Sequence, residues 1–395
     1  MRWIRYVLAM AAVGACDTQA TAAPPTATLS RRPPSAEYQV AEITSTLGGS
    51  ARGTSINGRE WVAGFSNLPD NQSRHAVLWR GGELTDLLTL GGANSNVQWP
   101  GQNNRGVVVG ISETADLNPL RENWSCSAFF PTLTLHNCLG FVWESGHMRR
   151  LPTLGGYNGF ATGVNGRGQI VGWAETRVHD PTCVTPQVLQ FRAVEWEPWR
   201  RVPRELRPLH GDSTSAATAI NDRGQVVGIS GRCDVAVGEF SAQHAVFWDH
   251  GRPINIGSLG GVAWNTPMAL NEAGDVVGFS DVAGDEDGTP NFRAFLWTRE
   301  GGMKNLGTLP GDQISEAFAV NARRQIVGVS CAATCRPFIW QNGSMVQLDS
   351  LLVPGFPDSL LSARDINEEG KITGDVFVRS TGKKVPFVAT PVDNR

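Results

Sequence analysis

One hairpin pattern recurs seven times between residues 50 and 395, and it constrains the fold more than any other feature of the chain. Each copy has an Asn followed seven residues later by a Gly, as in INDRGQVVG. The Asn residues are Asn57, Asn103, Asn165, Asn221, Asn271, Asn321 and Asn367. The matching Gly residues are Gly64, Gly110, Gly172, Gly228, Gly278, Gly328 and Gly374. Even repetition at about 50 residues is typical of solenoids and propellers.

The residue types of this pattern predict a tight turn between two short strands. An Asn side chain can accept a hydrogen bond from the backbone two residues on and so start the turn. Five copies have Gly three residues after the Asn, where a left-handed residue closes a short hairpin loop. Glu60 and Arg324 replace that Gly, so these two turns are expected to be strained or differently shaped. The later Gly lies within a strand pattern, where it usually lets another backbone come close.

A second signature marks another strand in each unit. It reads HAVLW at residues 75–79 and HAVFW at residues 244–248, and six of the 13 Trp residues occupy its last position. A segment ending in Leu and small residues follows, as in LPTLGG at residues 151–156. Four short strands per unit of about 50 residues, without helical periodicity, indicate a β-propeller.

The two ends of the repeat region predict how the ring closes. The seventh unit ends near Val392 after its third strand, whereas residues 38–49, YQVAEITSTLGG, form a fourth strand with no unit before it. Joining them removes an open sheet edge. We therefore predict an all-β, seven-bladed propeller of four-stranded antiparallel blades over residues 38–392, with a short tail at 393–395.

These repeats resemble the HAF family of extracellular repeats, which is named for a His-Ala-Phe triplet. The triplet appears here as HAV at His75 and His244 and as RAF at Arg293. The resemblance covers most of residues 45–392 and implies export and a repeated β unit, without an assigned biochemical role. Because Arg, Leu and Val replace the His in other copies, the His is not required for chemistry there.

The first residues predict export. Residues 1–15 combine a charged start with an apolar stretch too short to span a bilayer, as in a signal peptide. The sequence VGAC at residues 13–16 resembles a lipobox, which implies cleavage before Cys16 and its acylation as a membrane anchor. Ordinary secretion with cleavage nearby is the alternative. Residues 16–37, rich in Pro, Ala and Thr, are typical of a flexible tether.

The remaining cysteines number six, an even count that suits an oxidising compartment. They are Cys126, Cys138, Cys183, Cys233, Cys331 and Cys335. Six cysteines allow fifteen connectivities. Their places between second and third strands favour pairing 126 with 138, 331 with 335, and 183 with 233. Metal binding is the alternative, but no CxxC spacing supports it.

The same loops carry most of the length variation, at residues 113–138, 175–190, 231–243 and 281–291. Propeller loops of this kind emerge on one face, and loops on a rigid scaffold are where recognition usually resides. The candidate ligand-face residues are Trp124, Phe129, Phe130, His136 and His179. The alternative is that these aromatic side chains pack the long loop of the second blade onto its neighbour.

Signals for chemistry are few. The chain has no HExxH, P-loop or GxSxG motif, and its net charge of −3 gives no support for a nucleic-acid partner. No cofactor is predicted, and a structural cation is left open. The acidic residues Asp281, Asp285, Glu286 and Asp287 are read as a solvated loop. Trp196 and Trp199, among arginines, are read as an edge cover rather than an acidic-glycan site.

These observations predict an exported, lipid-anchored and monomeric module. It would bind or scaffold a protein or a glycan of the cell envelope through its disulfide-bearing loop face. The alternative is a glycan lyase or hydrolase whose site lies on the propeller axis, because propeller enzymes assemble residues from several blades without a local motif.

Overall fold

The computed structural model describes residues 37–197, 203–284 and 291–392. These residues form 28 strands, which pair into seven four-stranded antiparallel sheets. In six sheets the strands are neighbours in chain order, and in the seventh the first strand of the chain joins the last three. Most first strands of neighbouring blades contact one another, so they line the axis. The predicted seven-bladed propeller is confirmed.

The blades follow the chain in order, and their strands have the following bounds. Blade 1 contains β2 (Ala51–Ile56), β3 (Val62–Asn67), β4 (Arg74–Arg80) and β5 (Glu83–Asp86). Blade 2 contains β6 (Gly91–Asn96), β7 (Val108–Leu117), β8 (His136–Glu144) and β9 (His147–Arg150). Blade 3 contains β10 (Gly159–Val164), β11 (Ile170–His179), β12 (Leu189–Trp196) and β13 (Arg204–Leu206). Blade 4 contains β14 (Thr214–Ile220), β15 (Val226–Gly231), β16 (His244–Asp249) and β17 (Arg252–Asn255).

The remaining blades have the same order. Blade 5 contains β18 (Thr266–Leu270), β19 (Val276–Asp281), β20 (Phe292–Thr298) and β21 (Gly302–Gly307). Blade 6 contains β22 (Ile314–Val320), β23 (Ile326–Cys331), β24 (Cys335–Gln341) and β25 (Ser344–Gln347). Blade 7 contains β26 (Ser359–Ile366), β27 (Ile372–Val378), β28 (Lys383–Val392) and β1 (Glu37–Glu42). Helical turns are α1 (Trp124–Ser127) and the 3-10 turns Phe240–Ala242 and Leu348–Leu351. None of the helices in the described ranges is long and apolar enough to cross a membrane.

The N-terminal strand closes the ring as the sequence predicts. Strand β1 pairs antiparallel with β28, from Glu37 opposite Val392 to Glu42 opposite Phe387. Tyr38 is buried in the apolar cluster between blades 6 and 7. The outermost strand of the last blade therefore comes from the opposite end of the folded region.

The seven repeat Asn residues form a second closed ring. Each side-chain Nδ2 donates to the main-chain carbonyl of the corresponding Asn in the next blade, over 2.9 to 3.2 Å, and Asn367 returns to Asn57. Each Oδ1 accepts the backbone N–H four residues on. In five copies it also accepts the N–H two residues on, as predicted. The Asn thus shapes its own turn and joins it to the next blade.

The glycines of the repeat behave as expected, with one correction. The turn Gly residues are left-handed, but Glu60 and Arg324 adopt the same conformation, at φ of 64° and 56°. These two turns are therefore strained but not differently shaped. At the later Gly a Cβ would meet the carbonyl oxygen of the first strand at 1.9 to 2.2 Å, because a bulge brings the two backbones together.

Each junction between neighbouring blades has its own apolar cluster. The signature Trp residues of the third strands are buried there. Trp79, Trp196 and Trp248 each donate from Nε1 to a carbonyl of the link from the previous blade, at 2.8 Å. One further cluster lies beneath the loops that join second and third strands, and its members come from residues 99–335.

Candidate functional site

A cavity of about 80 Å³ lies on the propeller axis, beneath the loops that join second and third strands. Five of its lining residues occupy the same place in the repeat, three positions before the Asn. They are Thr54, Thr218, Met268, Phe318 and Arg364. Each is the extra residue of a bulge in the first strand of its blade. A bulge breaks the alternation of a strand and re-aims a side chain, which explains why these residues face the axis.

The wall formed by blades 6, 7 and 1 carries buried charges. Glu316 and Arg364 line the cavity, and each is 7% exposed. The Arg364 Nε donates to the Ser362 hydroxyl at 3.1 Å, and Ser362 in turn donates to Asp375. Asp375 also pairs with the Nε of Arg52 at 3.3 Å. Ionisable groups of blades 7 and 1 are therefore linked, and Glu316 of blade 6 lines the same cavity.

Burial shifts the ionisation of this wall. It raises the pKa of Glu316 to about 7, partly opposed by the positive charge of Arg364. It lowers the pKa of Arg364 to about 9, with Arg52 acting in the same direction. Burial likewise raises the pKa of Asp365 to about 7, although its carboxylate accepts the backbone N–H of Ile56 at 2.8 Å. Perturbed ionisation of this kind gathers at functional sites.

A third arginine links the charged wall to the loop of blade 2. The Arg74 guanidinium lies over the Phe65 ring at 4.1 Å, and its Nη1 donates to the carbonyl of Phe129 at 3.1 Å. Burial and the nearby Arg52 lower the pKa of Arg74 to about 9. The loop residue that roofs the cavity is thus held by an arginine of blade 1.

The rest of the lining is mainly apolar and aromatic. Its rings come from loops and from the first, second and third strands of the blades: Trp99, Phe129, Trp264, Phe279, Phe292 and Phe318. Trp99 and Phe129 make an edge contact at 5.5 Å between ring centres. Phe279 and Phe292 lie 5.0 Å apart. The cavity therefore combines one apolar side with one ionisable side, as small-molecule sites commonly do.

Two of the candidate aromatic side chains of the ligand face are buried. Phe129 and Phe130 are 4% and 7% exposed, which agrees with the alternative that these rings pack the long loop of the second blade onto its neighbour. The long insertion of blade 2 folds back, and Phe129 packs on Trp99 and Phe160 because apolar rings there escape water. Phe129 nevertheless lines the cavity. Ligand binding by this face stays a prediction.

The other candidates of that face are dispersed. His136 is half-buried at the start of β8, and His179 is exposed at the end of β11. Trp124 begins α1. The structure therefore brings Phe129 to the cavity and does not gather the two histidines there.

The three disulfides form with the pairing that the repeat register favours: Cys126 with Cys138, Cys183 with Cys233, and Cys331 with Cys335. They indicate an oxidising environment. In the described ranges the grouping of possible metal ligands is Glu113, Cys126 and Cys138, and the disulfide uses both of its sulfurs. The Cys183–Cys233 bond connects the loops of blades 3 and 4.

Other sequence candidates prove to be structural or lie outside the described residues. His75 and His244 each pair through Nδ1 with an aspartate, Asp86 and Asp212, at 2.9 Å. Trp196 is buried, in agreement with an edge cover. Cys16, residues 1–36, Trp199, Asp285, Glu286, Asp287 and the tail 393–395 lie outside the described residues.

A second concavity, of about 620 Å³, lies between blades 2 and 3 toward the turn face. Its lining includes four exposed arginines, Arg105, Arg149, Arg150 and Arg167. Glu144 and Glu197 also line it, and Arg149 lies 3.9 Å from Glu144. Its charged groups are solvated, in contrast to those of the axial cavity.

The sequence analysis missed the charged wall, although the repeat carries a signal for it. The residue after the repeat Gly is apolar in blades 1 to 6 and is Asp375 in blade 7. The bulged position holds Arg364 in blade 7, where blades 5 and 6 have Met268 and Phe318. Charged residues at positions that are uncharged in the other blades would have indicated the site.

Comparison with known proteins adds little beyond the fold. No family model and no curated protein matches the chain. It is similar to a gluconolactonase structure from Xanthomonas campestris, at 9% identity and a TM-score of 0.38, covering 91% of both chains. It is similar to a prolyl endopeptidase structure, at 11% identity and a TM-score of 0.45, covering 89% of this chain and 52% of that one. A puromycin-hydrolysing peptidase of Mycobacterium tuberculosis gives 11% identity and 0.38, covering 86% and 61%. Similarities of this size carry no argument about function.

Proposed function

We propose that the protein is an exported binding module whose ligand, a glycan or protein of the cell envelope, is held at the loop face over the axial cavity. The observation that supports it most is the composition of that cavity. Side chains of several blades converge there on bulged positions, with aromatic rings on one side and Arg364 with Glu316 on the other. A fold that needed only a packed axis would have no use for buried charges, which are costly to desolvate.

Binding can be tested with the full chain. Purified protein is mixed with envelope extracts and with isolated envelope glycans, and retained material is measured. Shortening the loops at residues 113–138 and 175–190 should abolish retention, because the first loop supplies Phe129 to the cavity. Arg223→Ala, on the exposed turn face, is the matched control and should retain ligand as the wild type does. Unchanged binding after both loops are shortened would refute the loop-face assignment.

A glycan hydrolase or lyase is the second candidate function. Glu316 favours it, because a buried carboxyl group with a pKa of about 7 beside Arg364 is suited to general acid or base work near neutral pH. Glu316→Gln should then abolish the release of new reducing ends or unsaturated products from envelope glycans while leaving binding intact. A wild-type protein that binds such glycans and forms no product would remove this alternative.

We further propose that the module acts as a monomer, tethered to a membrane by acylated Cys16. The lipobox-like VGAC and the Pro-rich segment 16–37 support this proposal. Two or more acyl chains give stable anchoring, whereas one chain is marginal. Cys16→Ser should release the protein from the membrane fraction, as detected by immunoblotting. Unchanged membrane association of the variant would refute the anchor.

A further inference from the structure

Three largely buried guanidinium groups gather where blades 7 and 1 meet the axial cavity. Arg52 and Asp375 form an ion pair with side-chain exposures of 11% and 3%. Arg74 and Arg364 lie near enough to Arg52 for its charge to act on both. Asp375 is thus the counter-ion of Arg52 at the centre of this group.

Arg364 presents an unused donor at this cavity. Its Nε is bonded to Ser362, and its planar group lies over the Phe318 ring at 4.4 Å, which fixes its orientation. Its Nη2 is buried and has no hydrogen-bond partner among the residues that the structure describes. A buried donor without a partner costs free energy, so a ligand that supplies an acceptor there gains more than it would at a solvated group.

Glu316 supplies a second polar group on the same wall. It comes from blade 6, lines the cavity beside Arg364 and is buried to the same extent. A carboxyl group in its protonated form donates one hydrogen bond. Two donors on one wall match the two oxygens of a carboxylate.

We propose that the axial cavity binds the carboxylate of an acidic sugar, with Arg364 Nη2 as its principal donor; this rests on the proposed function of glycan binding. The volume of about 80 Å³ admits one small group rather than a whole sugar ring. The rest of the ring then remains outside this volume, toward the loops that cover the cavity. A neutral sugar lacks the charge that Arg364 requires.

The experiment compares D-glucuronate with D-glucose, which differ only at C6, and with sulfate as an anion of another shape. The full chain is titrated by calorimetry, and the fluorescence of Trp99 and Trp264, which line the cavity, is followed in parallel. Glucuronate should bind saturably and at least tenfold more tightly than glucose or sulfate. Arg364→Met should weaken glucuronate binding at least tenfold, as expected for loss of a charge-assisted hydrogen bond.

Arg150→Met is the matched control, because it removes an exposed arginine from the groove between blades 2 and 3. It should leave the glucuronate affinity within twofold of the wild type. Three results with the wild type would each overturn the carboxylate site: no binding of glucuronate, equal binding of glucose, or equal binding of sulfate. These results decide the question even if Arg364→Met fails to fold. The loop deletions could abolish envelope-glycan binding while Arg364→Met leaves it unchanged. That result would overturn this inference and would leave the proposed function intact.

Discussion

The loop face of the propeller has two sectors that are made from one repeat and filled differently. In the apolar sector, blades 2 to 6, one buried cluster runs beneath the loops and includes cysteines of all three disulfides. In the charged sector, blades 7 and 1, Arg52, Arg74, Arg364 and Asp375 occupy the corresponding place. No disulfide crosses the charged sector among the described residues.

Comparison of the two sectors shows that the fold does not require charged residues at the positions of the charged sector. The repeat positions of Arg52 and Asp375 are apolar in other blades, with Phe160 and Trp173 in blade 3 and Ala216 and Ile229 in blade 4. The same backbone therefore folds with apolar residues at these positions. A buried ion pair stabilises a fold weakly at best, compared with apolar residues of similar volume. The charged sector is thus better explained by binding than by folding.

The largest effect is expected from removing the strand that closes the charged sector. Deleting residues 37–42 takes away β1, its pairing with β28 and the buried Tyr38. Blade 7 is left with three strands and an open apolar flank, so the cooperative unfolding transition should be lost or its midpoint lowered by more than 10 °C or so. Thermal unfolding followed by circular dichroism measures this.

Gln39→Ala is the control for that deletion, since Gln39 is exposed on the same strand. Its effect should stay within about 0.5 kcal/mol. A deletion variant that melts like the wild type would mean that the charged sector does not depend on ring closure.

The next prediction converts one sector into the other. Asp375→Ile removes the carboxylate that lies 3.3 Å from Arg52 and should cost about 3–5 kcal/mol, because a buried guanidinium loses its counter-ion. Adding Arg52→Ala gives both positions the residue types that blade 4 has at the corresponding repeat positions, Ile229 and Ala216, and should recover stability to within about 1 kcal/mol of the wild type. Urea unfolding of the wild type, single and double variants measures both steps. A double variant as unstable as the single one would show that the charges are structural.

The sequence predicts the parts of the molecule that every blade repeats. Asn57 and its counterparts predict the turns, the register predicts the disulfides, and residues 38–49 predict closure, because each depends on local residue types and spacing. The ring of Asn side chains also depends on the repeat, because each blade places its Asn at the same distance from the propeller axis. Glu60 and Arg324 keep the common turn, because the Asn side chain that begins each turn is bonded both to its own backbone and to the next blade.

The candidate site could be predicted only in part, because its residues are far apart in the chain. Thr54 and Arg364 line one cavity, although the repeat Asn residues of their blades lie 310 residues apart in the chain. The bulge that turns them inward is a property of the backbone and leaves no local motif. Phe129 was expected on the surface, since a loop sequence does not show that it folds back onto Trp99.

The pH dependence of stability tests whether Glu316 of blade 6 is buried beside the charged sector as described. Its pKa is about 7 in the folded state, above its ordinary value of 4.5, so the folded protein binds more protons between these pH values. This stabilisation is complete below about pH 4.5 and is lost as the pH rises through 7. Between pH 5 and pH 8 the wild type should lose about 3 kcal/mol of stability to unfolding by urea, and Glu316→Gln should not show this loss. Glu83→Gln is the control, since Glu83 is exposed, and it should not alter the pH dependence of stability. If the stability of Glu316→Gln changed with pH in parallel with that of the wild type, the assignment would be contradicted.

The smallest effect concerns the cross-links of the apolar sector. The Cys183–Cys233 disulfide joins residues 50 apart and two blades, whereas Cys331–Cys335 closes a separation of 4. In the chain-entropy model the longer loop restricts the unfolded chain more, so Cys183→Ser with Cys233→Ser should cost about 2 kcal/mol more than Cys331→Ser with Cys335→Ser. Urea unfolding of the two double variants measures the difference. Equal losses would mean that the disulfides act through local packing in the loops rather than by restricting the unfolded chain.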